Sequence, residues 1–357
     1  MNHPTQQILS SPHVHGGESI PQVMRTVIWA LMPATAFSVM LFGWPTLFVI
    51  LTTVATCMIV EHLLIKMRGW PSTMGDHSAA LTGLLLALTL PPHAPWWLCV
   101  VGGLFAILVG KQLYGGLGQN IFNPALISRV FLLISFPVQL TFWPKPTPLF
   151  GESSYSLLQS INIFLGGGYG ALLPLDTVTG ATPLGQYRTE VGMGRTVEQA
   201  LGGNYGFNYL DATSGMMGGS LGETSVILLT LGGLYLLHRK VITWHIPLSM
   251  LAGCLVPAAV FWMLDPGAYP NPLFHLITGG LILGVFFMAT DMVTSPVTAK
   301  GQIIFGLGCG ILTYLIRTWG GYPEGVSFAI VLMNATVPLI DQYTRPVAYG
   351  KTQQRNT

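Results

Sequence analysis

Ten apolar runs, at about 24–42, 45–65, 77–91, 95–113, 123–141, 224–238, 242–263, 274–290, 301–317 and 325–341, constrain this chain more than any other feature. A helix rises about 1.5 Å per residue, so most of these runs are long enough to cross about 30 Å of hydrocarbon. The third and sixth are short and read as half-spans or tilted helices. Charged residues make up 8% of the sequence, against roughly 25% in a soluble protein. A soluble domain cannot cover its surface with so little charge, so the expected class is an all-α, multi-pass protein in a lipid bilayer. The net charge of +2 carries no sign of nucleic-acid binding. Cys57, Cys99, Cys254 and Cys309 all lie in apolar stretches without C-x-x-C spacing and read as small buried hydrophobes. His3, His13 and His15 belong to a polar leader and do not suggest a metal site.

The basic residues orient the spans. Arg25, Lys66, Arg68, Lys111, Arg239, Lys240, Lys300, Arg345, Lys351 and Arg355 collect on one side, read as cytoplasmic. Of the short loops opposite, only one has a cation, Arg317. The expected organisation is a cytoplasmic leader (1–22), five spans (23–141), a long periplasmic loop (142–223), five further spans (224–341) and a cytoplasmic tail (342–357), in a bacterial inner membrane. Ala80–Ala87 is echoed by Leu276–Leu283, and Tyr114–Gly118 with Phe122 by Trp319–Gly321 with Gly325 and Phe328. Each echo lies five spans on. An odd number of spans per repeat reverses orientation, so the halves read as inverted five-helix repeats.

The long loop carries Asp176-Thr177-Val178-Thr179-Gly180-Ala181-Thr182-Pro183. The pattern D-x-x-[ST]-G-A-T is the target of flavin transferases, which attach FMN to the final threonine through a phosphoester. Gly180 and Ala181 remove bulk beside an acceptor hydroxyl, Gly180 permits positive φ, and Pro183 fixes the next residue. Asp176 suits the transferase's metal or a hydrogen bond within the turn. Thr182 is therefore the expected covalent FMN site, with Thr179 part of its recognition sequence. Arg188 is a candidate partner for the remaining phosphate charge.

At this point the chain resembles the D-type membrane subunits of the Rnf electron-transport complex and the related NqrB subunits of sodium-pumping NADH:quinone oxidoreductases. Besides the acceptor sequence and the span layout, the resemblance rests on Gly75–Leu88, Asn120–Ala125 and Ala289–Pro296. The short leader favours the Rnf type. The resemblance implies a redox-driven translocase that passes electrons between reduced ferredoxin and NAD while moving Na⁺ or H⁺. It also implies one covalent FMN in this protein and a non-covalent riboflavin in the membrane region. Partner subunits would carry the iron–sulfur clusters, the NADH site and a second covalent FMN. The sequence has no G-x-G-x-x-G in a βαβ context and no cluster-ligand spacing, in keeping with that division.

Polar residues at span ends form a second set. Asp76 and Asp291 either mark an ion pathway, or for Asp291 a flavin contact, or cap helices. Asn120 and Asn123, with Asn334, either meet a flavin edge or join helices. Glu61 is expected at the interface, paired with Lys66 or Arg68. Two rival readings are a secondary transporter without redox function, which has no use for the acceptor sequence, and a structural anchor for partner subunits.

Overall fold

The computed structural model describes residues 19–70, 72–151, 154–167, 182–202, 207–322 and 324–345, and these contain helices and turns but no strand. Asp176, Thr179, Gly180 and Ala181 lie outside the described residues. Six helices have the length and apolarity to span a bilayer. They are α1 (Ile20–Phe42), α2 (Trp44–Arg68), α4 (beginning at Trp96, regular to Leu108), α11 (His245–Leu264), α14 (Ala299–Trp319) and α15 (Val326–Thr344). Between them lie shorter apolar helices: α3 (Ser78–Thr89), α5 (Pro124–Ser135) and α10 (Val226–His238). The connecting segment contributes α6 (Leu157–Asn162), α7 (Pro183–Gly192), α8 (Val197–Gly202) and α9 (Tyr209–Ser214). The eighth apolar run forms α12 (Pro272–Ile277) and, after a break, α13 (Leu281–Leu283), which continues as a wider π turn over Gly284–Met288.

Local signals explain most of the ends. Gly69 closes α2 in the left-handed conformation (φ 67°) behind Lys66 and Arg68, cations suited to a helix C-terminus. Asn123 caps α5, accepting from the N–H groups of Ala125 and Leu126, with Pro124 at the first helical position. Thr298 Oγ1 accepts from Gly301 N at 3.0 Å to start α14. Helix α1 begins at Ile20, slightly before the end of the expected leader. The fifth run was expected to be continuous to 141, but its regular helix ends at Ser135, and Pro137 starts a separate turn. Proline lacks the N–H that would continue the ladder.

The eighth span is interrupted, not continuous. Thr278 is extended and Gly279 has φ 66°. The carbonyls freed at the end of α12 need donors, because hydrocarbon supplies none. Arg317 provides them: Nη1 donates to His275 O at 2.7 Å and Nη2 to Thr278 O at 2.9 Å. A Cβ on residue 279 would stand 2.6 Å from Arg317 Nη2, so both sterics and backbone conformation call for glycine. Arg317, read from sequence as a loop cation, is inside the last turn of α14 and completely buried.

Corresponding helices of the two halves pack alike. Helix α2 packs on α4 in the first half and α11 on α14 in the second, while α1 meets α10 and α5 meets α15 between halves. The α11–α14 contact is a small-residue seam: Gly306 faces Ser249, and Gly310 lies against the backbone of Met250 and Cys254. Large apolar side chains such as Leu51, Ile59, Leu63 and Met67 stay exposed along α2, as a lipid-facing surface requires. The four cysteines are free and buried.

Candidate functional site

Two sites lie at opposite ends of the bundle. Chain direction separates them: α1 and α3 start, and α10 ends, beside one cavity, whereas Thr182 and α7 pack where α12 starts and α14 ends.

Thr182 is the N-cap of α7. Its backbone is extended (φ −60°, ψ 152°), and its Oγ1 accepts from Gly185 N at 3.1 Å. The residue is 4% exposed, so its hydroxyl is largely covered and engaged in capping. Helix α7 is pinned by its apolar face. Leu184 and Tyr187 pack on Phe274 at the entrance to the broken span. Tyr187 Oη donates to Ala268 O at 3.2 Å, and Gln186 Nε2 donates to Ala200 O at 3.0 Å. Burial pushes the Tyr187 hydroxyl above its usual range, with further upward pressure from Tyr314 and Tyr269 and a smaller opposing pull from Arg188. Arg188 is half-buried, and its Nη1 is enclosed without a hydrogen-bond partner. The capped terminus presents backbone N–H groups and the positive end of the helix dipole beside the Thr182 hydroxyl. An anionic phosphoester is stabilised in that setting.

At the other end, a cleft lies among α1, α3, α5, the end of α10 and the π turn. Its walls are mostly apolar, including Leu81, Leu85, Phe286 and Phe287, with Ser78, Lys111, Asn120, Asn123, Thr290 and Asp291 as polar groups. An apolar slot with a few fixed polar groups is the usual form of a small-molecule site. Asn120 donates to Phe122 O at 3.1 Å, leaving a buried Oδ1 without a donor. Asn123 is more fully engaged: beyond its capping bonds, Nδ2 donates to Met288 O at 3.3 Å, joining α5 to the π turn. Asn334, with its amide oriented to satisfy both atoms, accepts from Asn123 N and donates to Thr294 O and Ile330 O, and so acts as helix glue.

Asp76 accepts from Ser78 N at 2.8 Å and Ser78 Oγ at 2.6 Å at the start of α3. Asp291 accepts from Val293 N and Thr294 Oγ1, a turn-capping arrangement at the cleft wall. Glu61 does not pair with Lys66 or Arg68. It is buried and bonded to Lys111 Nζ at 2.6 Å, and Lys111 also donates to Ser78 Oγ at 2.6 Å. Thr73 Oγ1 donates to the same Glu61 oxygen. Lys111 thus links this network to the cleft, a role whose only mark in the sequence is its place at the end of a long apolar run. Among the described residues no three His, Cys, Asp or Glu side chains cluster as metal ligands.

Residues 7–350 match the NQR2, RnfD, RnfE family. The chain belongs to that family. It is similar to the D-type subunit of the ion-translocating oxidoreductase complex of Stutzerimonas stutzeri, with 49% identity over 93% of both chains. It is 45% identical to the protein of the same name from Halorhodospira halophila (strain DSM 244 / SL1), over 97% of this chain and 96% of the relative. It is 43% identical to the one from Escherichia coli (strain SMS-3-5 / SECEC), over 96% and 98%. Family membership spans both sites, so the cleft and the Thr182 helix belong to one architecture shared along the whole chain and not to an appended module.

Proposed function

We propose that this chain is the D-type membrane subunit of an ion-translocating ferredoxin:NAD oxidoreductase complex and that Thr182 carries FMN as a phosphoester. The carrying observation is the position of Thr182: the last residue of the acceptor sequence is also the N-cap of α7, where N–H groups and the helix dipole favour a phosphate. Arg188, with an unpartnered donor, is the nearest side-chain cation in sequence. Because the Thr182 hydroxyl caps α7, attachment requires the cap to open, and the phosphate oxygens take over as acceptors for the first-turn N–H groups. FMN bound there would supply one-electron relay, and the protein would set its surroundings.

In this reading the cleft at the opposite end is the place for a non-covalent riboflavin. The isoalloxazine edge offers an N–H donor for the free Asn120 Oδ1 and carbonyl acceptors for Lys111, between apolar walls. Asp76 and Asp291 remain candidates for ion movement of Na⁺ or H⁺ from their places at the mouths of α3 and the broken span. Ten spans in two inverted repeats are supported by the matched packing pairs and by one short and one broken helix at the third and eighth positions. Both termini are cytoplasmic and the 142–223 segment is periplasmic in this reading, in the inner membrane, with a flavin transferase and the other Rnf-type subunits as partners.

The test is ultraviolet fluorescence of the denatured protein on a gel, wild type beside Thr182→Val, each co-expressed with a flavin transferase active on a control substrate. A fluorescent wild-type band and a dark variant are expected. A dark wild-type band would overturn the assignment and leave the non-redox transporter as the better reading.

A further inference from the structure

The end of the bundle that carries Thr182 holds four charges that neither flavin site uses. Glu223 is in the turn Leu221–Glu223 that leads into α10. Glu324 is in the connection between α14 and α15. Arg129 projects from α5 and Arg317 from α14, and both are closed to solvent, at 1% and 0% exposure. Arg129 Nη2 holds Glu324 Oε2 at 2.8 Å. Ser220 Oγ donates to Glu223 Oε1 at 2.8 Å. The Glu223 carboxyl is within side-chain hydrogen-bonding reach of Glu324. Arg317 is close enough to feel both carboxylates, although its own donors are committed to the carbonyls of His275 and Thr278.

We infer that Glu223 and Glu324 form a two-carboxyl proton site, in which one shared and exchangeable proton bridges the pair beside the Thr182 helix. Two ionised carboxylates cannot share a hydrogen bond, because both groups are then acceptors only. One proton resolves the conflict by turning one carboxyl into a donor. Two loose ends in the same cluster agree. Glu324 Oε1 is enclosed and has no donor, and Arg129 Nη1 is enclosed and has no acceptor. The orphan oxygen is where a proton from the neighbouring acid satisfies the geometry. Exchange is possible because Glu223 and Glu324 are only partly covered, unlike the two arginines. Burial and the Glu324 charge push the Glu223 acid upward, with Ser220 and Arg129 opposing in part.

The location gives the site a role. Gly222 is wedged between Leu88 of α3 and Leu283 of α13, so the turn bearing Glu223 is seated where the short and broken spans meet. Leu184 of α7 and the Arg317 guanidinium both abut Gly279. The Thr182 side and this pair are therefore linked through packed protein, by way of Leu184, Gly279 and Arg317, where Coulomb interactions are stronger than in water. The step itself is simple: the pair and a water exchange one H⁺, no electron moves, and the net charge of the four side chains changes between zero and +1.

The assembled complex in lipid nanodiscs provides the test, by infrared difference spectroscopy in H₂O and D₂O across mildly acid to mildly alkaline pH. The wild type should show a deuterium-sensitive carboxylic-acid carbonyl band that bleaches as pH rises and is absent from Glu223→Gln. In Glu324→Gln the remaining acid, freed of its like-charged neighbour, should titrate at least about tenfold more acidically, a midpoint lower by about one pH unit. A wild-type-minus-Glu223→Gln spectrum without such a band, or a midpoint unmoved in Glu324→Gln, overturns the proposal. If Glu223→Gln does not assemble, the Glu324→Gln midpoint decides alone. None of these readings depends on flavin attachment, so failure at Thr182 and failure here are separable.

Discussion

Lys111 Nζ and Glu61 Oε1 are 2.6 Å apart, with both side chains almost completely closed to solvent, and they tie the end of α4 to α2 across 50 residues of sequence. A buried pair of this kind gains little over a well-packed apolar pair, but removing one partner strands a charge, at about 3–5 kcal/mol. Lys111→Met and Glu61→Leu should each lower the thermal midpoint and the yield of detergent-stable protein. The double variant should recover much of the loss. Equal losses in the double and single variants would show that the pair does more than neutralise itself.

Asn120 bears on the cleft differently. Its Oδ1 is the buried polar atom there without a donor, whereas Asn123 is committed to capping α5 and bridging to Met288. Asn120→Ala should reduce the non-covalent flavin extracted per chain by about tenfold, the worth of one hydrogen bond to a buried acceptor, and leave any flavin covalently held at Thr182 unchanged. Asn123→Ala should instead destabilise the protein by about 1 kcal/mol or more through loss of the cap. Flavin content after acid extraction and thermal unfolding of the same samples separate the two effects.

Much of this architecture was legible before the structure. Apolar runs placed the long helices, but the caps that start α5 and α14 are findings of the structure: from sequence Asn123 reads as a flavin contact or a helix joint, and Thr298 carries no local signal that singles it out. The breaks were harder to see. Thr278-Gly279-Gly280 lies inside a run that holds no charged residue and no proline, and nothing nearby in sequence shows that Arg317, some 40 residues on, supplies the donors that make the break tolerable. Glu61 differs from its sequence expectation for the same reason: local spacing offers Lys66 and Arg68, while the actual partner, Lys111, arrives through packing of α2 on α4. Sequence identifies what a residue needs; the fold decides which distant group provides it.

Close helix contact makes a sharp prediction about glycine. A Cβ on Gly232 would collide with the Ala30 carbonyl of α1, a backbone atom that cannot swing aside, and would press on Phe287. Gly232→Ala should therefore separate α1 from α10 and cost about 1–3 kcal/mol, as overpacking does. Gly192, at the end of α7, meets nothing within 4 Å. Gly192→Ala should be neutral or stabilising by up to about 1 kcal/mol. Thermal midpoints of the two variants, measured side by side in one detergent, check the contrast, and a tolerated Gly232→Ala would rule out the close approach.

His93 gives the chain an acid-sensitive point outside the spans. It is 3% exposed, packs edge-on against Tyr155 with ring centroids 5.4 Å apart, and neither ring nitrogen has a hydrogen-bond partner. Burial lowers its pKa to about 4 from the ordinary 6.5. Between those values the unfolded chain binds a proton that the folded chain refuses. Stability from this residue is therefore complete above about pH 6.5 and falls as the pH drops toward 4, by at most on the order of 3 kcal/mol. His93→Leu removes the titration and strands no polar atom, since the ring nitrogens have no partners to lose. The variant should match or exceed the wild type at neutral pH and show a shallower loss of thermal midpoint between pH 6.5 and 4. Parallel slopes for the two proteins across that window would mean that acid acts elsewhere and that the buried imidazole is already compensated.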